Sequence, residues 1–540
     1  MKGQTILKEK TMKKDFNKKY STWPLATVLT FGLLLGCSDL EETPDYINPN
    51  TFYKSATELQ LGVNAIYDDL TMGSGDWFNY FYNRYVFECL IGYQTGWEKQ
   101  PLQYNLGNVS PQDDVIEAYW GQSYRSINRA NELLEAADKV VDPANADLIE
   151  RLKGEAKFLR AFYYYGLLSY FDNAPISLKG TKDLSDLPSN SGGTRALIDQ
   201  IYADCNAAAE VLPESYTGAN TGRATHWAAK TLLMKAQLWD QKWADAKATA
   251  EDIIDNSGIT LFDDFSHNFD VAHENMNERI FEGQVSAAAN TNEYSNHSAH
   301  FNPEDYPTEF GGAGWSWLSV TQEFRGSYDI NDKRIPGTFM DSYPTARTKK
   351  DSNGNYPIVR WSATAPFNLS RFGGIVDPNA DPNDPSQLVF GKGWSAKLTE
   401  ENIGAYQNTE RNTIYMRFAD VLLGHSEACN ESGTGDPFLG INEVRDRAGL
   451  APLAGLNQSD LRDAIIKERM QEFAFEQVMY PELRRKSTFN GSPDYLGDEI
   501  KHFIEKYGVV RQLKESDYVL PIPLKEIQGN PNVTQNPAWQ

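Results

Sequence analysis

Cysteine is scarce in this chain of 540 residues: four in all, at Cys37, Cys89, Cys205 and Cys429. They lie far apart, with no Cys-x-x-Cys and no Cys/His cluster at zinc spacing, so no metal site is expected. Cys89, Cys205 and Cys429 read as small buried hydrophobes. Long apolar runs are also missing. The run WPLATVLTFGLLLG, residues 23–36, has 14 residues, short of the ~20 that span a bilayer. Positive charge is in deficit, with 51 Lys and Arg against 74 Asp and Glu, for a net charge of −23. The first 36 residues carry seven Lys against Glu9 and Asp15, so the remainder stands near −28 once that +5 is removed. Such a surface repels phosphate backbones, and no nucleic-acid partner is expected.

Enzyme signatures are absent as well. HENMNE (273–278) lacks the second histidine of a zincin. GHSEA (424–428) has Ala where a nucleophile elbow needs its second Gly, and it falls in a helical pattern. With so many acidic residues, paired carboxylates arise by chance and carry no glycosidase argument. DPNADPND (377–384) has the look of a calcium loop. However, Pro382 replaces the turn glycine, and Leu388 stands where a bidentate Glu is needed. No catalytic residue, cofactor or metal is assigned.

Aromatics, by contrast, are plentiful: 12 Trp, 28 Tyr and 26 Phe. The apolar and charged fractions are those of an ordinary globular protein. The length suggests two to four sub-domains or one large helical assembly.

The N-terminus has the layout of a secretory signal over residues 1–36. Lys13, Lys14, Lys18 and Lys19 precede the apolar run, and Met12 is an alternative start to Met1. The run ends in Leu34-Leu35-Gly36-Cys37, which resembles the bacterial lipobox. There the cysteine thiol becomes a thioether to diacylglycerol and, after cleavage, residue one. Two or three acyl chains, at about 0.8 kcal/mol per buried methylene, anchor a protein stably. The SDLEE that follows Cys37 resembles the export tag of certain bacterial surface lipoproteins and opens an acidic linker over 37–53.

From residue 54 to 258 helical periodicity dominates. GEAKFLRAFYYYGLLSYF (154–171) sets Leu159, Tyr163, Gly166, Leu167 and Tyr170 on one stripe. Residues 223–258 read as a helical hairpin, its first helix ending near Asp240 and its second starting near Trp243. Ala228, Ala229, Ala236, Ala246 and Ala250 allow close approach, the texture of a tetratricopeptide repeat. Further helices are expected at 55–70, 114–139, 195–211, 411–430, 437–448 and 459–488. Trp120, Trp227, Trp239 and Trp243 sit in helical patterns and are expected in the core. Between 259 and 405, Gly, Pro, Asn and Asp punctuate the chain, and a loop-rich region is expected to separate the helical blocks. The last helical region runs over 406–540.

WGQSYRSINRANELL (120–134) and GEAKFLRAFYYY (154–165) are similar to the N-terminal half of the SusD/RagB family. IYMRFADVLLGHSEACNESG (414–433), INEVRDRAGL (441–450) and ERMQEFAFE (468–476) resemble its C-terminal half, and LPIPLKEIQGNPNVTQNPAW (520–539) its closing signature. Where the family reads Glu-Gly-x-Arg-x-x-Asp-Leu, this chain has EQVMYPEL, with Gln477, Met479 and Glu482 at the altered positions. An Arg–Asp pair there is expected to be structural.

The resemblance implies a mainly α fold, a tetratricopeptide-containing scaffold with a loop-rich insertion. It implies a lipoprotein anchored by Cys37 at the cell outer membrane, facing the surface. Such a protein is not an enzyme: it binds glycan, or in some members peptide, and lids a SusC-like TonB-dependent transporter. A repeat scaffold binding only proteins is a further alternative. Neutral sugars stack their C–H faces on Trp and Tyr, so the aromatics of GDWFNYFYNRY (75–85), GYQTGWE (92–98), NEYSNH (292–297) and GGAGWSW (311–317) are candidates. Trp97, Trp315 and Trp317 are the expected platforms, with Tyr80 and Tyr294 nearby.

Overall fold

The computed structural model describes residues 52–71, 80–96, 99–181, 187–285, 301–310, 314–365, 377–397 and 411–540. Residues 52–540 pack as one unit. The N-terminal helices are α1 (Ala56–Asp68), α2 (Tyr80–Glu88), α3 (Lys99–Asn105), α4 (Asp114–Ala137), α5 (Ala146–Phe171), α6 (Gly193–Val211), α7 (His226–Trp239) and α8 (Trp243–Asn256). Caps written in the sequence start several of them. Ser55 accepts from the Glu58 amide at 3.3 Å, Asp113 from Val115 and Ile116 at 2.9 and 3.4 Å, and Thr225 from Ala228 at 3.1 Å.

Helix α5 packs against α1, α4, α6 and α7. The five residues expected on a stripe are all buried, but so is nearly every residue from Gly154 to Phe171. An apolar stripe becomes an apolar cylinder when neighbours cover all sides. The hairpin α7–α8 breaks between Trp239 and Trp243 as expected, and its five alanines are fully buried. Trp120 and Trp227 belong to the core. Trp239 and Trp243 do not: both are half-buried at the edge of it. Trp239 lines a cleft of about 420 Å³, and the Arg484 guanidinium lies 5.3 Å from its ring centroid.

The C-terminal helices are α9 (Phe418–Ser432), α10 (Leu439–Arg447), α11 (Gln458–Glu472), α12 (Met479–Arg485) and α13 (Tyr495–Tyr507). Two expected helices are shorter than the periodicity suggested. Residues 413–417 form a strand, because Thr413–Arg417 pairs antiparallel with Arg279–Gly283. The expected helix over 459–488 splits after Glu472, where Phe475 and Gln477 take left-handed φ values of 64° and 55° that no α-helix accommodates.

Between the helical blocks lie short strands: β1 (Gln94–Gly96), β2 (Arg279–Gly283), β3 (Leu318–Val320), β4 (Ser342–Pro344), β5 (Ile358–Trp361), β6 (Val389–Phe390) and β7 (Thr413–Arg417). They form a β1–β3 ribbon, a β2–β7 ribbon and a β4–β5–β6 sheet. A Val320–Gly393 bridge joins β3 to the segment that follows β6. This region has its own small core of Tyr306, Tyr343, Val359, Ala380, Leu388, Phe390 and Trp394.

Buried ion pairs lock this region to the helices. Arg417 of β7 reaches Glu278, Glu472 and Glu476; Arg447 of α10 reaches Glu278 and Glu472; Arg334 reaches Asp332, Glu468 and Glu472. Lys397 donates to Glu476 at 2.6 Å. Charges so deeply buried persist only as a mutually compensated set. Among the described residues, no helix is long and apolar enough to cross a membrane.

Candidate functional site

The β1–β3 ribbon pairs Gln94 with Val320, Thr95 with Ser319 and Gly96 with Leu318. Asn105, at the end of α3, holds β1 from outside: its carboxamide oxygen accepts from the Gly96 amide at 2.8 Å. Its nitrogen donates to the carbonyls of Gln94 and Cys89 at 3.2 and 2.8 Å. The hydroxyls of Thr95 and Ser319 lie 2.9 Å apart. A Cβ on Gly96 would come within 2.1 Å of the Pro101 side chain, so only glycine fits.

The segment entering β3 carries Trp315 and Trp317, both half-buried. Their ring centroids are 5.2 Å apart and their planes tilted by 35°, and Trp317 also rests on the main core. Ser316 between them is buried with φ of 54°, an uncommon conformation for a side chain with Cβ. Three bonds hold it there. Asn302 O accepts from the Ser316 amide at 3.1 Å, Pro303 O from the Gly314 amide at 3.1 Å, and the Ser316 hydroxyl from the Glu304 amide at 2.6 Å. Asp305, buried beside them, accepts from the hydroxyls of Tyr343 at 3.1 Å and Thr345 at 2.5 Å, and burial raises its carboxyl above the usual range. The two rings therefore sit on a fixed turn.

Of the other expected site residues, Trp97 and Tyr294 lie outside the described residues. Tyr80 opens α2, its side chain outside the described set. Tyr85 and Tyr93, from the same aromatic clusters, are core: Tyr85 packs on Phe301 at 4.4 Å and bonds to Phe475 O, and Tyr93 packs on Phe324 at 4.8 Å. Two large rings escaped the sequence reading. Trp394 is wholly buried, and half-buried Trp361 has the Arg325 guanidinium 4.5 Å from its centroid. Trp361 closes the four-residue strand β5 and Trp394 follows β6 in GKGWS, stretches too short to give a periodic signal.

Two independent family matches span most of the chain. The model of the SusD family matches residues 277–539, and one described as "Starch-binding associating with outer membrane" matches residues 40–238. The chain belongs to the SusD family. A SusD-like protein of Formosa agariphila, P2, is 28% identical over 96% of this chain and 99% of its own. Among solved structures, surface glycan-binding protein A from Bacteroides fluxus superposes with a TM-score of 0.70 at 20% identity, over 89% of this chain and 99% of its own. A laminarin-binding SusD-like protein gives 0.68 at 22%, over 90% and 100%. These structures establish the fold.

In this SusD-family chain Gln477, Met479 and Glu482 of the altered EQVMYPEL segment are all buried. Gln477 takes the positive φ that glycine would favour, and Glu482 pairs with Arg469 at 3.1 Å, Arg485 at 2.6 Å and Lys486 at 3.7 Å. The remaining motif residues are structural too. Ser426 accepts from the Ile441 amide at 2.8 Å. Cys429 lies 3.4 Å from His425 Nε2, but burial pushes its thiol up to about 11, which leaves no thiolate at neutral pH. Asp377, Asp381 and Asp384 accept from backbone amides two residues ahead, as turn residues do, and Leu388 is buried.

Proposed function

We propose that this SusD-family chain is a surface-exposed outer-membrane lipoprotein that binds oligo- or polysaccharide and passes it to a SusC-like TonB-dependent transporter. The Trp315–Trp317 pair carries the binding half of this reading. Two rings set 35° apart on a fixed turn suit a glycan whose successive sugars turn relative to one another. Each ring gives a C–H face a large apolar contact at little entropic cost. Relatives of the same fold are named for glycan and laminarin binding, which supports this ligand class. Trp97, Tyr80 and Tyr294 are proposed to complete the site. The description of the N-terminal family match supports outer-membrane association. The Leu-Leu-Gly-Cys run supports lipidation of Cys37, and the acidic SDLEE supports surface export.

Binding here is capture without turnover. Calorimetry of the purified protein against laminarin, starch and a panel of other polysaccharides, with peptides in parallel, tests the reading. At least one polysaccharide is expected to bind with no release of reducing ends. Binding confined to peptides, or turnover abolished by changing one carboxylate, overturns it. For the anchor, Cys37→Ala is expected to abolish acylation and release the protein from the outer-membrane fraction. Full retention of an unacylated variant refutes the anchor.

A further inference from the structure

The connection between α8 and β2 brings together three side chains that the glycan reading does not use. His267, Asp270 and His273 recur every third residue through two short 3₁₀ turns, Phe265–Phe269 and Val271–His273. Each offers one ligand atom, and these atoms all lie within 4.8 Å of one another. The Asp270 carboxylate oxygens lie 2.6 and 2.8 Å from His273 Nδ1. The two imidazoles stack with centroids 3.9 Å apart and planes 13° from parallel, so their in-plane lone pairs run side by side, and one ring must turn out of the stack for both to reach one ion. All three are half-buried, leaving a path from solvent.

The turn is held rigid from beneath. Asp270 caps the second 3₁₀ turn by accepting from the His273 amide at 2.9 Å. Phe262, itself buried, presses edge-on against both imidazoles at 5.9 and 5.5 Å. Glu278 accepts from the Phe262 amide at 3.1 Å and from Asn268 at 2.9 Å. Arg279 donates to the carbonyls of His267 and Asp270 at 3.1 and 2.7 Å. Its charge works against a nearby cation, but Glu282 sits 3.5 Å from the same guanidinium and offsets it.

We propose that His267, Asp270 and His273 form a transition-metal site of the zinc class, filled to its full coordination by water. In it the ion takes the place of the proton between Asp270 and His273 Nδ1, which passes to solvent. Ligand atoms held about 2.0–2.2 Å from a shared zinc lie roughly 3.0–3.5 Å apart. The Asp270–His273 distance opens by about half an ångström, and the half-buried His267 ring turns out of the stack to aim a nitrogen at the ion. Two imidazoles and one carboxylate select zinc, cobalt, nickel or copper over calcium and magnesium, which demand oxygen cages. This reverses the expectation, drawn from Cys/His spacing alone, that the chain holds no metal. The ion staples the α8–β2 connection and is independent of the glycan site.

Equilibrium dialysis of the full chain against zinc, followed by metal analysis, tests the proposal. One zinc per chain is expected, with a zinc-dependent rise in melting temperature that calcium does not reproduce. His267→Gln/His273→Gln is expected to lose both. Asp270→Asn, which retains the turn cap, is expected to weaken binding by about 10–100-fold. X-ray absorption of the zinc-loaded wild-type protein serves where a variant fails to fold, and two imidazoles in the first shell are expected. Absence of zinc from the wild type, equal zinc in the doubly substituted protein, or a shell with fewer than two imidazoles overturns the site.

Discussion

Gly96 and Leu318 face each other across the β1–β3 ribbon, one residue before Trp97 and one residue after Trp317 in the chain. The segment that carries Trp315 and Trp317 therefore enters the ribbon at the end where β1 finishes. If Trp315 and Trp317 are stacking platforms, changing either to Ala weakens the best glycan by about 1–3 kcal/mol, roughly five- to hundred-fold. Their stability effects differ. Trp315→Ala leaves the melting temperature nearly unchanged, whereas Trp317→Ala costs about 1–2 kcal/mol because its ring also rests on the core. Calorimetry and thermal melts on both variants check this, and normal binding by both removes the pair from the site.

Gly314 tests whether the turn itself matters. A Cβ there would meet Asn302 O at 2.3 Å, a backbone atom that cannot swing aside. Gly314→Ala therefore displaces the segment carrying Trp315. Binding is expected to fall at least about fivefold, ~1 kcal/mol, with some loss of stability as well, since Trp317 of the same segment rests on the main core. A variant that binds normally means the ligand does not read the position of these rings.

The helical scaffold was legible because its signals are local. Caps at Ser55, Asp113 and Thr225 and the alanines of the α7–α8 hairpin specify structure within a turn or two. Residues 413–417 looked helical because their strand character depends on β2, more than a hundred residues upstream. Trp239 looked like core for a related reason: periodicity shows which face is apolar, not how much of that face the fold covers. The turn that carries the candidate rings was half legible. Glycines around Trp315 and Trp317 marked a turn, but the bonds from Asn302 and Pro303 that set it come from a separate segment. His267, Asp270 and His273 match no zinc spacing motif, and only the two 3₁₀ turns bring them together.

Glu88 makes a pH prediction. It is fully buried, accepts from the Tyr480 amide at 3.1 Å and from the Tyr93 hydroxyl at 3.3 Å, and burial pushes its carboxyl up from 4.5 to about 8. Between those values the folded protein keeps a proton that the unfolded chain has released. Stability therefore falls as pH rises through that window, by up to a few kcal/mol at about 1.4 kcal/mol per unit. Glu88→Gln, which never ionises, should flatten this slope and be the more stable protein above pH 8. Denaturant melts across the window decide it, and an unchanged slope clears Glu88 of the role.

Glu472 predicts the opposite behaviour at acid pH. Its carboxylate lies 2.5 Å from Arg447, 2.9 Å from Arg417 and 3.2 Å from Arg334. Burial alone would raise its pKa, but the three guanidiniums outweigh burial and hold it well below the usual carboxylate range. A depressed folded pKa contributes stability that is present above about 4.5 and lost as pH falls below it. Glu472→Ala removes the anion and leaves three buried cations facing one another, at a cost of about 3–5 kcal/mol near neutral pH. Because Arg334 lies in the loop-rich region and Arg417 and Arg447 in the C-terminal block, that loss should loosen the attachment between them. Hydrogen exchange is expected to accelerate around Arg334 and β7 before it does in α5. Uniform acceleration across the chain would mean that the network stabilises the protein as a whole, with no special part in holding the loops on the helices.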